Sequence, residues 1–239
     1  MTAPLYPADF YENRRLHTAH AADRILSALP ANLKRDAVAD IGCGTGTWLA
    51  AALASGSNSA FGYEGNWVTP AMLDDPRIVF TAHDLEHSLS GPRVDLALSL
   101  EVAEHLTPNR AQGFVADLVA LAPAILFSAA IPGQGGVGHL NECWQSHWAT
   151  LFAAHGYTAH DIIRPAIWTD DAIPAWYRQN TLVYLDATTR TTLNFTPDAP
   201  AFLDRVHPSF WARANRELAY AKAIPESEYL RQLAQSAQQ

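Results

Sequence analysis

Cysteine is nearly missing from this 239-residue chain, which has only Cys43 and Cys143. Two thiols make no disulfide framework and suit a reducing compartment. Cys43 sits inside a glycine-rich turn, where a small residue in a tight place is the plain reading. Basic residues are also short. The 16 Lys and Arg against 24 Asp and Glu leave a formal net charge of −8, which argues against nucleic acid gripped by a broad basic face. Charged residues make up only 17% of the chain and hydrophobic ones 49%, a globular rather than disordered composition. Long apolar runs are missing too. The most apolar stretch, "LVALAPAILFSAAIP", is interrupted by Pro123 and is too short to cross a bilayer. "MTAPLYPADF" has no basic region followed by an apolar run, so no secretory signal is expected and the cytoplasm is the expected location.

What the chain does have is an alternation of strand-like and helix-like segments. A helix is expected over residues 9 to 29, stopped by Pro30. "AVADIG", "SAFGYEG", "RIVFTAHD", the nearly all-apolar "VDLALSLE" and "AILFSAAIP" read as strands, with "YTAHDII" and "NTLVYLD" as two more. Between them lie "GTWLAAALAS", a helix ended by Gly56, and "VTPAML", a short helix with Thr69 as N-cap and Pro70 in its first turn. A helix "LTPNRAQGFVADLVALA" follows, capped by Thr107 and burying Phe114, Leu118 and Leu121. Another runs from about Asn141. Such alternation predicts an α/β fold, a mostly parallel sheet with helices on both faces, whose ligand sits at the carboxyl ends of the strands. Three segments are expected: a helical cover (1–35), the main domain (36–186) and a helical extension (187–239).

The turn "VADIGCGTGTW" carries Gly42, Gly44 and Gly46. A triphosphate loop needs Lys then Ser or Thr after its last glycine, and here Thr47 and Trp48 follow. The dinucleotide fingerprint is G-x-G-x-x-G, and this turn is G-x-G-x-G, so NAD is disfavoured. Asp40 stands two residues before the first glycine, where it would repel a pyrophosphate and suit an ammonium group. Glu64 ends the second strand, placed to accept from ribose hydroxyls. Asp84 ends the third, within reach of an adenine amino group, and Glu101 ends the fourth. Four acidic strand ends suit a ligand with a positive centre, a ribose and an adenine.

With these residues in hand, "VADIGCGTGTW", "GYEGNW", "HDLE" and "LALSLEVAEHL" resemble the cofactor motifs of class I S-adenosylmethionine-dependent methyltransferases over roughly residues 36 to 186. The resemblance implies a Rossmann-like seven-stranded sheet of order 3-2-1-4-5-7-6 with strand 7 antiparallel. It implies S-adenosyl-L-methionine as cofactor and S-adenosyl-L-homocysteine as product. Asp40, Gly42, Cys43, Gly44 and Gly46 are expected near the methionine part and Glu64 on the ribose. Asp84 and Leu85 are expected near the adenine, and Trp67 packed against the cofactor.

Methyl transfer is an in-line displacement in which the enzyme aligns the nucleophile and, for a hydroxyl or ammonium acceptor, removes a proton. Histidine suits that task near neutral pH, and His105 and His139 follow strands facing the cofactor, with Glu101 beside them. Both histidines are read as catalytic or metal-binding; His83, His17 and His20 are weaker candidates. Glu101, Glu104 and His105 form E-x-x-E-H, and with His139 they resemble the metal-binding set of the small-RNA 3′-terminal 2′-O-methyltransferases, which implies Mg, Mn or a similar divalent ion. The loop "IPGQGGVGHLNECWQSHW" brings Gln134, Asn141 and Glu142 near these groups, or Asn141 merely caps the next helix. Arg178 and Asn180 could line an acceptor wall, while Trp176 and Tyr177 read equally as core. Tyr11, Arg14 and His17 could close over the cofactor. Seven tryptophans indicate a large acceptor pocket or an interface. The leading expectation is transfer to O or N of a small polar metabolite, a sugar or natural-product intermediate. The alternatives are metal-assisted 2′-O-type transfer to a vicinal diol, or a cofactor-binding partner without catalysis.

Overall fold

Period-2 alternation within each strand decides which of two cores a residue joins. In the computed structural model, residues 8–198 and 202–223 are described, with side chains over 18–198 and 202–220. In β4 (Leu96–Leu100), Leu96, Leu98 and Leu100 enter one core and Ala97 the other. In β5 (Ala124–Ser128), Ala124 and Leu126 join the first set, and Ile125 and Phe127 the second. Covering on both faces is why these strands read as unbroken apolar runs. One core closes under α3 (Ala111–Leu121) and α4 (Gln145–Ala153) through Phe114, Leu118, Trp148 and Phe152. The other closes under α1 (Ala8–Ala28) and α2 (Thr47–Ala54) through Ile25, Leu26 and Leu49. The short helices α5 (Arg164–Ile167) and α6 (Ala175–Asn180) complete it.

With β1 (Ala37–Ile41), β2 (Ser59–Glu64), β3 (Val79–Ala82), β6 (Thr158–His160) and β7 (Leu182–Leu185), the sheet has seven strands in the order β3-β2-β1-β4-β5-β7-β6. This is the expected order. Strand β7 runs antiparallel to both β5 and β6, and the remaining pairs are parallel. The order reverses between β1 and β4, so the loops after those strands flank a crevice.

Two local expectations are corrected. Thr107 does not cap a helix with its side chain; Pro108–Arg110 form a 3-10 turn before α3. Instead its N–H and Oγ1 both donate to Glu86, at 2.7 and 2.8 Å, because a carboxylate from a neighbouring loop is a stronger acceptor. Asn141 is not helical either. Its N–H donates to the Glu104 carbonyl at 3.0 Å, and α4 begins four residues later.

Buried Arg164 ties α6 down. Its guanidinium pairs with Asp161 at 2.7 and 2.8 Å and donates to the carbonyls of Gln179 and Leu203 at 3.2 and 2.7 Å. A charge so deep is tolerated because every side of it is matched. The chain divides after Arg205 into two compact units. The first ends with α7 (Ala187–Leu193), capped by Asp186, which accepts from the Thr189 N–H. The second contains α8 (Pro208–Ala223), with an Arg213–Glu217 ion pair one turn apart. No described helix is long and apolar enough to cross a membrane.

Candidate active site

The chain leaves β1 through three glycines in the left-handed region, Gly42, Gly44 and Gly46, at φ of 86°, 52° and 81°. The N–H groups of Gly42 and Cys43 donate to the Tyr63 carbonyl at 2.8 and 3.1 Å, which fastens the turn to β2. A Cβ at Gly42 would come within 2.4 Å of Val102, so the turn also needs glycine for close approach. At Gly44 a Cβ would meet nothing within 4 Å; the backbone there faces open space. That space is a cavity of about 370 Å³ over the carboxyl ends of β1, β2 and β4. Asp40, Gly42, Cys43, Gly44, Glu64, Trp67, Asp84, Leu85, Glu101 and His105 all line it. Gly46 does not, and packs instead on Ile78.

Asp40 lies at the base, 2% exposed, and its Oδ2 has no hydrogen-bond partner. Burial, with the Glu64 charge adding to it, pushes its carboxyl up to about 8. Glu64 accepts from the N–H groups of Gly44 and Gly65, at 3.0 and 2.9 Å. Burial raises its pKa, and those two donors act against the rise. Burial also drives the Cys43 thiol far up, which removes it as a nucleophile. Trp67 is 53% exposed and lies over Gly65, where a Cβ would meet its ring at 2.1 Å.

On the far rim, Asp84 is exposed, accepts from the Glu86 N–H at 3.0 Å and stands 3.2 Å from His87 Nδ1. Leu85 is buried, and its carbonyl takes the Nε–H of Arg110 at 2.8 Å. Arg110 also holds the His87 carbonyl at 2.8 Å and pairs with Asp117. One buried guanidinium thus fixes the whole 84–87 loop. Sequence reasoning missed Arg110, since nothing in its neighbourhood signals a partner 25 residues away.

Glu101 has a φ of 57°, a conformation costing about 1–2 kcal/mol for a non-glycine residue. The strained turn aims its carboxylate into a buried amide network. Gln134 Nε2 and Asn180 Nδ2 each donate to it at 3.0 Å. Asn180 and Gln179 in turn donate to Gln134 Oε1, at 2.9 and 3.0 Å. Burial raises the Glu101 pKa, and the amide donors counter it. Asn180 therefore stands behind Glu101 and is not among the cavity-lining residues. Arg178 is turned away as well, donating to the Trp168 carbonyl at 3.2 Å and Asp171 at 2.8 Å. Tyr177 does line the cavity, its ring edge-on to Trp48 with centroids 5.3 Å apart. The side chains of Tyr11, Arg14 and His17 lie outside the described residues.

Beyond Glu101, the fold gathers Glu104, His105 and His139. One ligand-type atom from each lies within 4.8 Å of the others, and the imidazole centroids are 4.8 Å apart. Glu101 is absent from that group. Glu104 is wholly buried, and burial together with the Glu101 charge holds its carboxyl well above the ordinary range. His139 faces Glu142 through Nδ1 at 2.8 Å and does not line the cavity. Asn141 contacts Cys143 through its side-chain oxygen at 3.4 Å and also stays outside the lining.

Neither a protein-family model nor a curated protein matches this sequence. Solved structures do. The aminopentose methyltransferase CalS10 of Micromonospora echinaspora, solved with S-adenosylmethionine, is 18% identical over 78% of this chain and all of its own, with a TM-score of 0.51. Magnesium protoporphyrin IX methyltransferase of Synechocystis PCC 6803, with bound S-adenosylhomocysteine, is 15% identical over 74% of this chain and 88% of its own, at 0.52. CalO1, a methyltransferase of calicheamicin biosynthesis, is 16% identical at 0.54; this chain spans only 56% of its length. With the strand order described above, this chain has the Rossmann-like seven-stranded fold of the class I S-adenosylmethionine-dependent methyltransferases.

Proposed function

We propose that this protein transfers a methyl group from S-adenosylmethionine to an oxygen or nitrogen of a small polar acceptor. The observation that carries the proposal is Asp40: a buried carboxyl with an unpartnered oxygen, beneath an open glycine turn and next to Glu64. A buried acid in that state is stabilised by a cation that brings its own N–H donors. The ammonium of the methionine moiety fits that description. S-adenosylmethionine, when bound, supplies an electrophilic methyl on a sulfonium centre.

The chain's own residues do the rest. Asp40 accepts from the ammonium, and Gly44 leaves room for the backbone approach. Glu64 accepts from ribose hydroxyls in place of part of its present bonding. Asp84 takes the adenine amino group, while Leu85 and Trp67 offer apolar surface to the ring. Glu101, aimed by its amide network, receives the acceptor's proton. A carboxylate of raised pKa is a better base near neutrality than an ordinary one. Holding the acceptor in line with the methyl accounts for much of the rate.

The lining also bears on the acceptor. Asp40, Glu64, Asp84, Glu86 and Glu101 contribute acid, and no described lining residue is Lys or Arg. A neutral or cationic acceptor, such as a sugar hydroxyl or an amine of a biosynthetic intermediate, suits that field better than an anion. Calorimetric titration with S-adenosylhomocysteine in EDTA, with NAD as control, tests the reading. Saturable binding of the first and none of the second is expected. Folded protein that binds neither would overturn it.

A further inference from the structure

Loops at the rim of a cavity are ordinarily the mobile part of a fold. The turn that carries Asp84 is built differently. It closes on itself first: Asp84 Oδ1 accepts from the Glu86 N–H at 3.0 Å, and the Asp84 carbonyl takes the His87 N–H at 2.9 Å. The segment leading into α3 then grips it from outside. Leu85 and His87 present their carbonyls to Arg110, both at 2.8 Å. The Glu86 carboxylate accepts from the N–H and Oγ1 of Thr107, at 2.7 and 2.8 Å. The Leu89 N–H donates to Asp117 Oδ2 at 2.9 Å, the same oxygen that pairs with Arg110.

Arg110 is the centre of this clamp. It is buried, and burying a guanidinium is costly unless its surroundings match it. An apolar residue would pack there without that demand. What it would lack is a planar fork that reaches two carbonyls and a carboxylate at once. Gly113 makes room for the fork, since a Cβ there would come within 2.6 Å of Arg110 Nη1. Glycine weakens a helix interior, so α3 loses some helix stability in seating Arg110. The guanidinium carbon lies 5.7 Å from the Phe114 ring centre, which backs it from the same helix.

We infer that Arg110, with Thr107 and Asp117, makes the cavity selective for a 6-aminopurine nucleoside over a 6-oxopurine one by holding Asp84 still. The inference rests on the methyl-transfer reading, which sets Asp84 against the adenine amino group. A carboxylate only accepts hydrogen bonds, so it suits an exocyclic amine and opposes the carbonyl oxygen of a 6-oxopurine. The ring nitrogen next to that oxygen carries a proton in the 6-oxo base. An unrestrained Asp84 would slide across to this N–H and accept the wrong base. Held through Leu85, Glu86, His87 and Leu89, it stays opposite the exocyclic group. Discrimination of this kind comes from leaving the wrong ligand's polar groups unmatched. Thr107, Arg110 and Asp117 are not among the cavity-lining residues. They are positioning residues, acting through the turn they grip.

Calorimetry on the full-length protein tests this with S-adenosylhomocysteine and S-inosylhomocysteine, in which oxygen replaces the 6-amino group. The parent should prefer the first by about 30-fold, the scale of one lost hydrogen bond to a charged group. Arg110→Lys keeps a cation facing Asp117 but cannot bridge two carbonyls, so the preference should fall to about 5-fold or less. Thr107→Val removes only the Oγ1 donor, at an exposed position, and should lower the preference about 2-fold. A merely structural role would weaken both ligands alike and leave the ratio unchanged. Equal binding of both by the parent, or a ratio preserved in Arg110→Lys, overturns the inference. If Arg110→Lys does not fold, Thr107→Val decides: an unchanged ratio overturns and a reduced one supports. Folded parent that binds neither nucleoside is a different result; it overturns the methyl-transfer reading and this inference with it.

Discussion

Asp40→Asn makes the sharpest quantitative demand on this structure. Below about pH 3 the Asp40 carboxyl is protonated whether the chain is folded or not, and burial then costs little through ionisation. As pH rises, the unfolded chain ionises at its ordinary value while the folded chain holds the proton up to about 8. Stability therefore falls through that window and levels off above it. At about 1.4 kcal/mol per pH unit, the loss reaches roughly 1–2 kcal/mol at pH 5 and about 4 kcal/mol at pH 7. The asparagine variant escapes this loss, so urea denaturation should find it little different from the parent at pH 4 and progressively more stable up to pH 8. Cofactor binding should show the reverse preference. An ammonium placed against Asp40 favours the ionised form, so S-adenosylhomocysteine binding at pH 7 expels nearly one proton. Calorimetric enthalpy should then vary with the ionisation enthalpy of the buffer in the parent, and lose that dependence in Asp40→Asn along with at least 10-fold in affinity. Parallel stability curves for parent and variant between pH 4 and 8 would refute the reasoning.

Four further outcomes follow from the same geometry. Gly42→Ala, at φ 86° and with Val102 at 2.4 Å, should lose about 2–4 kcal/mol in urea melts. Gly44→Ala, with open space around its Cβ, should lose only about 1–2 kcal/mol yet bind S-adenosylhomocysteine poorly. Arg110→Ala strands the Asp117 carboxylate and frees the Leu85 and His87 carbonyls, so thermal melts should register a loss of about 3 kcal/mol. Trp67→Ala removes a half-exposed ring from the cavity rim; its melting point should hardly move while affinity for S-adenosylhomocysteine falls several-fold in calorimetry.

The parts of this protein that could be read from its residues are those whose physics is local. Alternation of apolar side chains places Leu96, Leu98 and Leu100 on one face of a strand whatever lies above it. Three glycines at alternate positions dictate a left-handed turn, and an acid at each strand end is visible in the same stretch. Alternation alone indicated only a mostly parallel sheet; the strand order came from the resemblance to known motifs, and the fold bears it out. The far side of the cavity was different. Arg178 stands beside a strand in sequence, yet the course of α6 turns it onto Asp171. Asn180, two residues on, meets Glu101 instead, 79 positions away along the chain. The partnership of Arg110 with Leu85, and of Glu104 with His139, likewise joins segments whose separation is bridged only when helices pack on the sheet. Local sequence sets a residue's face and period. Which distant group it finds there depends on how packed helices and strands orient their loops, and packing is a property of the whole chain.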